Sequence, residues 1–355
     1  MPTLQTEQSR LITISLVVLT AIALAAALAA TRTVMVPFVL AIFISYLVLP
    51  LVDYLQLRLR FPRALAIIVA LLAALGLLTL LGLLITESTR ELLASVPIYR
   101  DRLAGAAEKI LAIPERFGLT APGGEPLLEG IRQLPLFSLV RSTAGTVVDL
   151  VTTGVLVAIF VMYLVIGRRP TEQLGGVYAE INSKIQRYLV TKFAISATTG
   201  LLVGTILWLF GLDLALMFGV MAFLLNFIPS IGSVIATLLP IPFAMLQFDS
   251  TWAIVGVVAI PGLVQMTIGN VIEPVVMGER LDLHPITVLL SLIFWGLLWG
   301  IVGMFLAVPI TAVIRIVLGR IETTRPFAEL LAGRLPAIAE EPAAPTERPP
   351  PQSAG

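Results

Sequence analysis

The longest uncharged stretch of the chain lies between Asp213 and Asp249, and it exceeds what one bilayer crossing needs. Residues 214–248 are 35 in number and carry no charged side chain. As one straight helix they would extend about 52 Å, whereas about 20 helical residues cross a bilayer core of about 30 Å. Pro229 removes a backbone donor, and Gly232 tolerates irregular dihedral angles. The sequence therefore predicts a helix that is broken near its centre.

This predicted break is a candidate transport site. Backbone groups freed at membrane depth are tolerated only where protein buries them or a water-filled cavity wets them. Transporters place their substrate at broken helices of this kind. Asn226, Pro229 and Gly232 are therefore candidates for lining a substrate or ion path. Asn226 either turns its amide toward a solute or hydrogen-bonds to a neighbouring helix, a bond worth roughly 0.6 kcal/mol in membranes.

The composition places the chain in a lipid bilayer. Hydrophobic residues make up 58% of the 355 and charged residues 13%, against about 25% charged residues in soluble domains. A net charge of +1 without a basic block argues against a nucleic-acid partner. The chain has no cysteine and none of the common metal, nucleotide or nucleophile motifs. We therefore expect no enzyme activity, no cofactor and no metal, and any active transport must be driven by a gradient.

The uncharged runs predict an all-α, polytopic membrane protein with about eight hydrophobic segments. The segments are Leu11–Ala30, Thr33–Val52, Ala64–Thr86, Leu150–Gly167, Phe193–Leu212, Leu214–Phe248, Ser250–Ile272 and Pro285–Ile314. They divide the chain into four parts. Residues 1–86 hold the first three transmembrane helices, and 87–149 form an extramembrane amphipathic helical segment. Residues 150–325 form the transmembrane transport core, and 326–355 a disordered C-terminal tail.

Basic residues in two short connections set the predicted orientation. One connection, residues 53–63, carries three arginines, and the other, residues 168–192, carries five basic residues including Lys192. Two crossings separate them, so they share a face, which the positive-inside rule makes cytoplasmic. The N-terminus is then cytoplasmic, and the basic residues Arg315, Arg320 and Arg325 favour a cytoplasmic C-terminus. That outcome requires residues 214–248 to cross once; the sequence leaves open whether they return as a hairpin instead.

The densest polar cluster follows the next hydrophobic run and begins at Gln265. A charge deep in a bilayer costs at least about 2.5–3.5 kcal/mol, so an intramembrane carboxylate such as Glu273 is a functional candidate. Asn270 lies three residues before it on the same helical face, and Pro274 predicts that the helix ends at Glu273. A carboxylate beside freed carbonyls can coordinate a cation or carry a proton. Alternatively, residues 273–284 are an ordinary wetted loop.

Three further polar residues of this cluster, Arg280, Asp282 and His284, are candidates for a gate or counter-charge. His284 is the only histidine, which suits a pH switch, although a polar residue is also expected where a span begins. A second group is assigned to helix packing because small residues let helix backbones approach closely. Its members are Gly200, Gly204, Gly296, Gly300, Gly303 and Pro309. Weak similarity also relates the two long runs, since Gly219 precedes Pro229 by ten residues and Gly300 precedes Pro309 by nine.

Three blocks in the C-terminal third carry a family resemblance. Asn226-Phe-Ile-Pro-Ser-Ile-Gly232 resembles the Asn-Phe-Ile-Pro-Tyr-x-Gly signature of the autoinducer-2 exporter family of bacterial membrane proteins, with Ser230 replacing a frequent aromatic residue. The second block, Gly269-Asn-Val-Ile-Glu-Pro274 with Leu283-His284-Pro285, and the third, from Trp299 to Pro309, are similar to that family's other blocks. The resemblance implies a broken or hairpin-like segment, a homo-oligomer that is a pentamer, and export of autoinducer-2 or sodium or lithium/proton antiport.

Residues and resemblance together predict a multi-pass secondary transporter of the bacterial inner membrane. It would move a small polar solute or a monovalent cation or proton past Asn226, Gln265, Asn270 and Glu273. The alternative is a non-transporting membrane scaffold, whose oligomer would depend on the packing of Gly200 and Gly204. The identity of the substrate, the coupling ion and the direction of transport are not fixed by the sequence.

Overall fold

The computed structural model describes residues 2–84, 86–87, 90, 153–167, 177–277 and 281–334. Within these ranges the chain is helical and contains no strand. The expected extramembrane segment lies almost wholly outside the described residues. The helices are α1 Pro2–Ala30, α2 Arg32–Leu57, α3 Arg63–Leu84, α4 Thr153–Gly167, α5 Val177–Leu209, α6 Ala215–Leu225, α7 Ile231–Leu238, α8 Ile241–Gln247, α9 Thr251–Met277, α10 Pro285–Leu318 and α11 Arg325–Leu331.

Five helices of the described chain are long and apolar enough to cross a membrane, namely α2, α3, residues 180–209 of α5, α9 and α10. A helix satisfies its backbone polar groups internally, which is why uncharged runs of this length adopt it in lipid. The predicted all-α, polytopic membrane fold is confirmed. Helix α5 begins at Val177, well before the expected span Phe193–Leu212, so residues 177–191 continue the membrane helix.

The predicted break in residues 214–248 is confirmed. Helix α6 ends at Leu225 and helix α7 begins at Ile231. Pro229 cannot donate a backbone hydrogen bond, and Ser230 adopts a positive φ of 61°, which a continuing α-helix does not allow. The chain therefore turns between the two helices.

The turn makes this run a hairpin that returns to the end where it started. The Gln247 side chain, at the end of α8, accepts a hydrogen bond from the Asp213 backbone N–H at 2.8 Å. Its amide nitrogen donates to the Gly211 carbonyl at 2.7 Å. The rings of Phe218 in α6 and Phe243 in α8 pack edge to face with centroids 5.3 Å apart. We call residues 211–249 the first hairpin.

Helix α10 is a second hairpin, although its 34 residues were expected to form a crossing. Gly300 has φ 65° and ψ −146°, which is not helical. The Trp295 indole N–H donates to the Thr311 hydroxyl at 3.3 Å, whereas residues 16 apart in a straight helix would be about 24 Å apart. The hydrophobic segment Pro285–Ile314 is therefore helical, as expected, but it does not cross, because the chain reverses at Gly300. Hydropathy gives the length of an apolar run but does not show whether the chain reverses within it.

The two hairpins enter from opposite ends of the bundle and meet inside it. At the tip of the second, the Trp299 indole N–H donates to the carbonyl of Leu28 near the end of α1, at 3.1 Å. The tip of the first packs on the second, since the rings of Phe227 and Phe305 stack with centroids 4.2 Å apart. Ile228 belongs to the same buried cluster as Trp295 and Trp299.

The C-terminal part of the described chain folds back onto the base of the second hairpin. The His284 backbone N–H donates to the Leu331 carbonyl at 3.0 Å. Arg320 pairs with Glu180 at the start of α5, so these segments share one end of the bundle. Helix α11 also contradicts the expected tail boundary at residue 326. If only the first hairpin returned, the C-terminal part would lie at the end of the bundle opposite the start of α5. Because the second hairpin also returns, the C-terminal part lies beside the start of α5.

Candidate functional site

The candidate site is built around the tip of the first hairpin. Asn226 caps the C-terminal end of α6. Its side-chain amide donates to the hydroxyl of Ser196 in α5 at 3.0 Å. Both side chains are buried. Pro229 and Ser230 form the turn, and Gly232 follows in the first turn of α7. Asn226 thus makes the helix-to-helix hydrogen bond that was one of its two expected roles, and it also lines a cavity beside the turn.

Helix α9 carries a π-helical turn, Ile268–Ile272, immediately before Glu273. Pro274 has no N–H, and its ring would clash with the carbonyl four residues earlier in a regular α-helix. The wider turn relieves that clash, so the helix continues to Met277 and the expected end at Glu273 is wrong. Asn270 lies within the π turn and donates to the Met266 carbonyl at 3.0 Å. Asn270 and Glu273 are therefore spaced by a π turn and not by a regular α-helical turn, and both line the same cavity.

Glu273 forms an ion pair with Lys192 of α5. Lys192 Nζ lies 2.6 Å from Glu273 Oε1, and the two side chains are 2% and 22% exposed. The sequence assigned Lys192 to a basic connection between two spans, whereas α5 carries it into the interior. Neither charge would be stable alone at this depth, since truncating one partner of a buried pair typically costs about 3–5 kcal/mol.

Two cavities meet at Glu273, and Lys192 lines the second of them. The first has a volume of about 730 Å³ and reaches Lys184 and Arg187 at the basic start of α5. The second, of about 440 Å³, extends between α7 and α9. Four residues line both cavities: Pro229, Ser230, Gly269 and Glu273. The hairpin tip and the carboxylate therefore lie at the junction of two chambers.

The wall of the second cavity offers polar groups from both of its helices. The Gln265 side-chain amide donates to the Thr237 hydroxyl at 3.2 Å, and that hydroxyl donates to the Ser233 carbonyl at 2.9 Å. Gln265 Oε1 is buried and has no hydrogen-bond partner among the described residues. A buried acceptor without a partner is costly, and a solute or water in this cavity can supply its donor.

The residues expected to act as a gate lie at the base of the second hairpin, apart from the ion pair. The Asp282 carboxylate is paired with Arg315 and, at 3.0 Å, with Arg334. His284 caps α10, its Nδ1 accepting from the Ile286 N–H at 3.3 Å. Arg280 lies outside the described residues. A gating role for these residues stays a prediction.

The residues expected to serve helix packing fall in three places. Gly200 and Gly204 of α5 face Gly219 of α6 in the same chain, where a Cβ on Gly200 would lie 2.7 Å from the Gly219 carbonyl oxygen. Gly296, Gly303 and the buried Pro309 belong to the two arms of the second hairpin. Gly300 forms its turn. The contacts of Gly200 and Gly204 are thus made inside one subunit.

Several residues of the site were not singled out by the sequence. Lys192, Ser196 and Tyr188 come from α5, and Thr237 and Ser233 from α7. The partners of Lys192, Ser196 and Thr237 are 81, 30 and 28 residues distant in the chain, so no periodicity relates them. The one available signal was that Lys192 is the last charge before an uncharged run.

A bundle of apolar helices with two opposed hairpins and a charged pair between two cavities defines a multi-pass membrane transporter. The family model described as AI-2E family transporter matches residues 14–323. The chain belongs to this family.

Three relatives illustrate the extent of the similarity. The chain is 31% identical to the AI-2 transport protein TqsA of Escherichia coli over 311 residues, 84% of this chain and 89% of that protein. A protein of Haemophilus influenzae that is named for transport is 33% identical over 319 residues, 84% of this chain and 90% of its own length. One of Borreliella burgdorferi, also named for transport, is 40% identical over 159 residues, 44% of each chain.

Proposed function

We propose that this protein moves a small polar solute or a monovalent cation across the bacterial inner membrane, past the Lys192–Glu273 pair. The observation that carries the proposal is the position of this pair at the junction of two cavities, beside the tip of the first hairpin. Intramembrane charges are expensive and mark transport pathways when they line cavities. The name of the relative TqsA makes autoinducer-2 the first solute to test.

Each polar group of the junction has a role in this proposal. Glu273 supplies the titratable charge, and Lys192 neutralises it while the path is empty. A coupling cation or proton must compete with Lys192, because the Lys192 ammonium group already donates a hydrogen bond to Glu273 Oε1. Gln265 Oε1 and Asn226 offer hydrogen bonds to a solute in the second cavity. Transport is gradient-driven, with no ATP hydrolysis by this chain.

We assign the basic end of the bundle to the cytoplasm. Lys184, Arg187 and Arg320 lie there together with the base of the second hairpin, in agreement with the positive-inside rule. The first cavity is then the cytoplasmic one, and the N-terminus and residue 334 face the cytoplasm. The homo-oligomer, a pentamer by resemblance, remains part of the proposal.

Neutralising Glu273 tests the role of the pair. In liposomes, we expect Glu273→Gln to lower solute or cation flux roughly tenfold or more, since each 1.4 kcal/mol lost at a rate-limiting step lowers a rate about tenfold. The single variant leaves Lys192 buried without its partner, so the double variant Lys192→Met/Glu273→Gln is measured beside it. The double variant is expected to recover the thermal stability without recovering the flux.

The matched control is Glu322→Gln, which removes an exposed carboxylate outside both cavities. Its flux is expected to equal that of the unaltered protein. Unchanged flux in Glu273→Gln would remove Glu273 from the mechanism. The absence of any solute or cation flux in the unaltered protein would favour the scaffold alternative.

A further inference from the structure

A third cavity, of about 290 Å³, lies at the basic end of the bundle and is walled by four arginines. Arg315 and Arg320 come from the end of α10, Arg325 from the start of α11 and Arg334 from the residues after it. Two carboxylates, Glu180 and Glu329, also line the cavity. Asp282 pairs with Arg315 and Arg334, so the four arginines and the three carboxylates at the cavity leave a formal excess of +1. We call it the arginine cavity.

The ion pairs of Arg320 and Arg325 are exposed and weak, so these arginines can also bind an anion. Arg320 pairs with Glu180, and Arg325 with Glu329 at 3.1 Å. The side chains of Arg320 and Arg325 are 54% and 67% exposed, and exposed ion pairs contribute only about 0–1 kcal/mol. The Arg315 Nε–H is buried and has no acceptor among the described residues. Because that Nε–H is enclosed, an anion in the cavity would bind the exposed guanidinium groups of Arg320 and Arg325.

The shape of the guanidinium group indicates which anion fits. Its planar fork of N–H donors matches the oxygens of a phosphate group in two parallel hydrogen bonds. A free phosphate and a phosphate in a lipid headgroup share this chemistry. The surroundings of the cavity distinguish the two.

Exposed apolar side chains lie close along the chain to the arginines that line the cavity. Ile321, which follows Arg320, is 52% exposed, and Phe327 and Leu330 of α11 are 61% and 57% exposed. The cavity lies at the basic end of the bundle, where α5 begins and α10 ends. Acyl chains can cover these apolar side chains, whereas a free phosphate cannot.

We propose that the arginine cavity binds the phosphodiester headgroup of an anionic phospholipid, with the acyl chains against Ile321, Phe327 and Leu330. Basic pockets at the cytoplasmic ends of transmembrane helices bind such headgroups. The bound lipid would join α5, α10 and α11 at this end of the bundle. The site is separate from the Lys192–Glu273 pair and does not depend on what the protein transports.

Two variants that break the same ion pair test this proposal in opposite directions. Arg320→Gln removes a positive charge from the cavity, and Glu180→Gln removes a negative one. Native mass spectrometry of the purified full chain measures binding of phosphatidylglycerol. We expect Arg320→Gln to lower the affinity roughly fivefold, the change that corresponds to about 1 kcal/mol per basic residue at a membrane surface, and Glu180→Gln to raise it by a similar factor.

The control is Arg58→Gln, an exposed arginine of the α2–α3 connection, which is expected to leave the affinity unchanged. If Arg320→Gln does not fold, Arg325→Gln and Glu329→Gln repeat the opposed pair. Equal binding of phosphatidylcholine would overturn the proposal. Displacement of the lipid by inorganic phosphate alone would also overturn it. A change of the lipid affinity in the same direction in both charge variants would do so too, because it would indicate a purely structural ion pair.

Discussion

Gly232 sets how closely the two arms of the first hairpin approach each other. A Cβ at this position would lie 1.8 Å from the carbonyl oxygen of Leu225, which is backbone and cannot move aside alone. We expect Gly232→Ala to lower the free energy of unfolding by about 1–3 kcal/mol, the usual cost of overpacking. The measurement is the thermal unfolding midpoint in detergent.

Gly76→Ala is the matched control for Gly232→Ala. No atom lies within 4 Å of a Cβ built at Gly76 in α3. Alanine is the better helix former by about 1 kcal/mol, so this variant is expected to be as stable as the unaltered protein or more so. Equal unfolding midpoints for the two variants would show that the close approach at Gly232 is not needed.

The ion pair shows what residue-level reading of the sequence can and cannot find. Glu273 was identified because a carboxylate beside an uncharged run is expensive in lipid. Lys192 was assigned to the basic connection before the next run, because four other basic residues lie in that connection. Its partner is 81 residues away, and only the packing of α5 against α9 shows that the two charges meet.

At the level of elements, both hairpins use a glycine after the turn to bring their arms together. A Cβ at Gly303 would lie 1.9 Å from the Trp295 carbonyl oxygen, as at Gly232 in the first hairpin. The sequence similarity between the two runs matched Gly219 with Gly300, and this pairing is wrong. Gly219 packs against α5, whereas Gly300 forms a turn. Spacing between glycine and proline does not reveal which residue reverses the chain.

Gly300 is the residue whose backbone conformation the second hairpin requires. Its φ of 65° with ψ of −146° is essentially restricted to glycine, and a side chain there costs about 1–3 kcal/mol. We expect Gly300→Ala to lower the unfolding midpoint and to weaken the contact of Trp299 with α1, which tryptophan fluorescence can follow. Gly82→Ala in α3, where a Cβ meets open space, serves as the control. An unchanged midpoint in Gly300→Ala would contradict the reversal at this residue.

At the level of the whole molecule, the sequence predicted the helices but not the path of the chain. Hydropathy identified the apolar runs because lipid excludes charge. It also located the break at Pro229, since a proline and a glycine interrupt a run that is too long. It could not show that residues 285–314 return, because a run of 30 residues is long enough to cross. Only contacts such as that between Trp295 and Thr311 reveal the direction of each arm.

The central claim is that two hairpins enter from opposite faces and that the tip of the first reaches the cytoplasmic cavity. The native chain has no cysteine, so single cysteines at Asp249, Ser230 and Glu322 can be labelled with a membrane-impermeant maleimide from either face of oriented vesicles. We expect Asp249→Cys to react from the outer face, and Ser230→Cys and Glu322→Cys from the cytoplasmic face. Two results would contradict the claim. The first is that Ser230→Cys reacts only from the face that labels Asp249→Cys. The second is that Asp249→Cys and Glu322→Cys react from the same face.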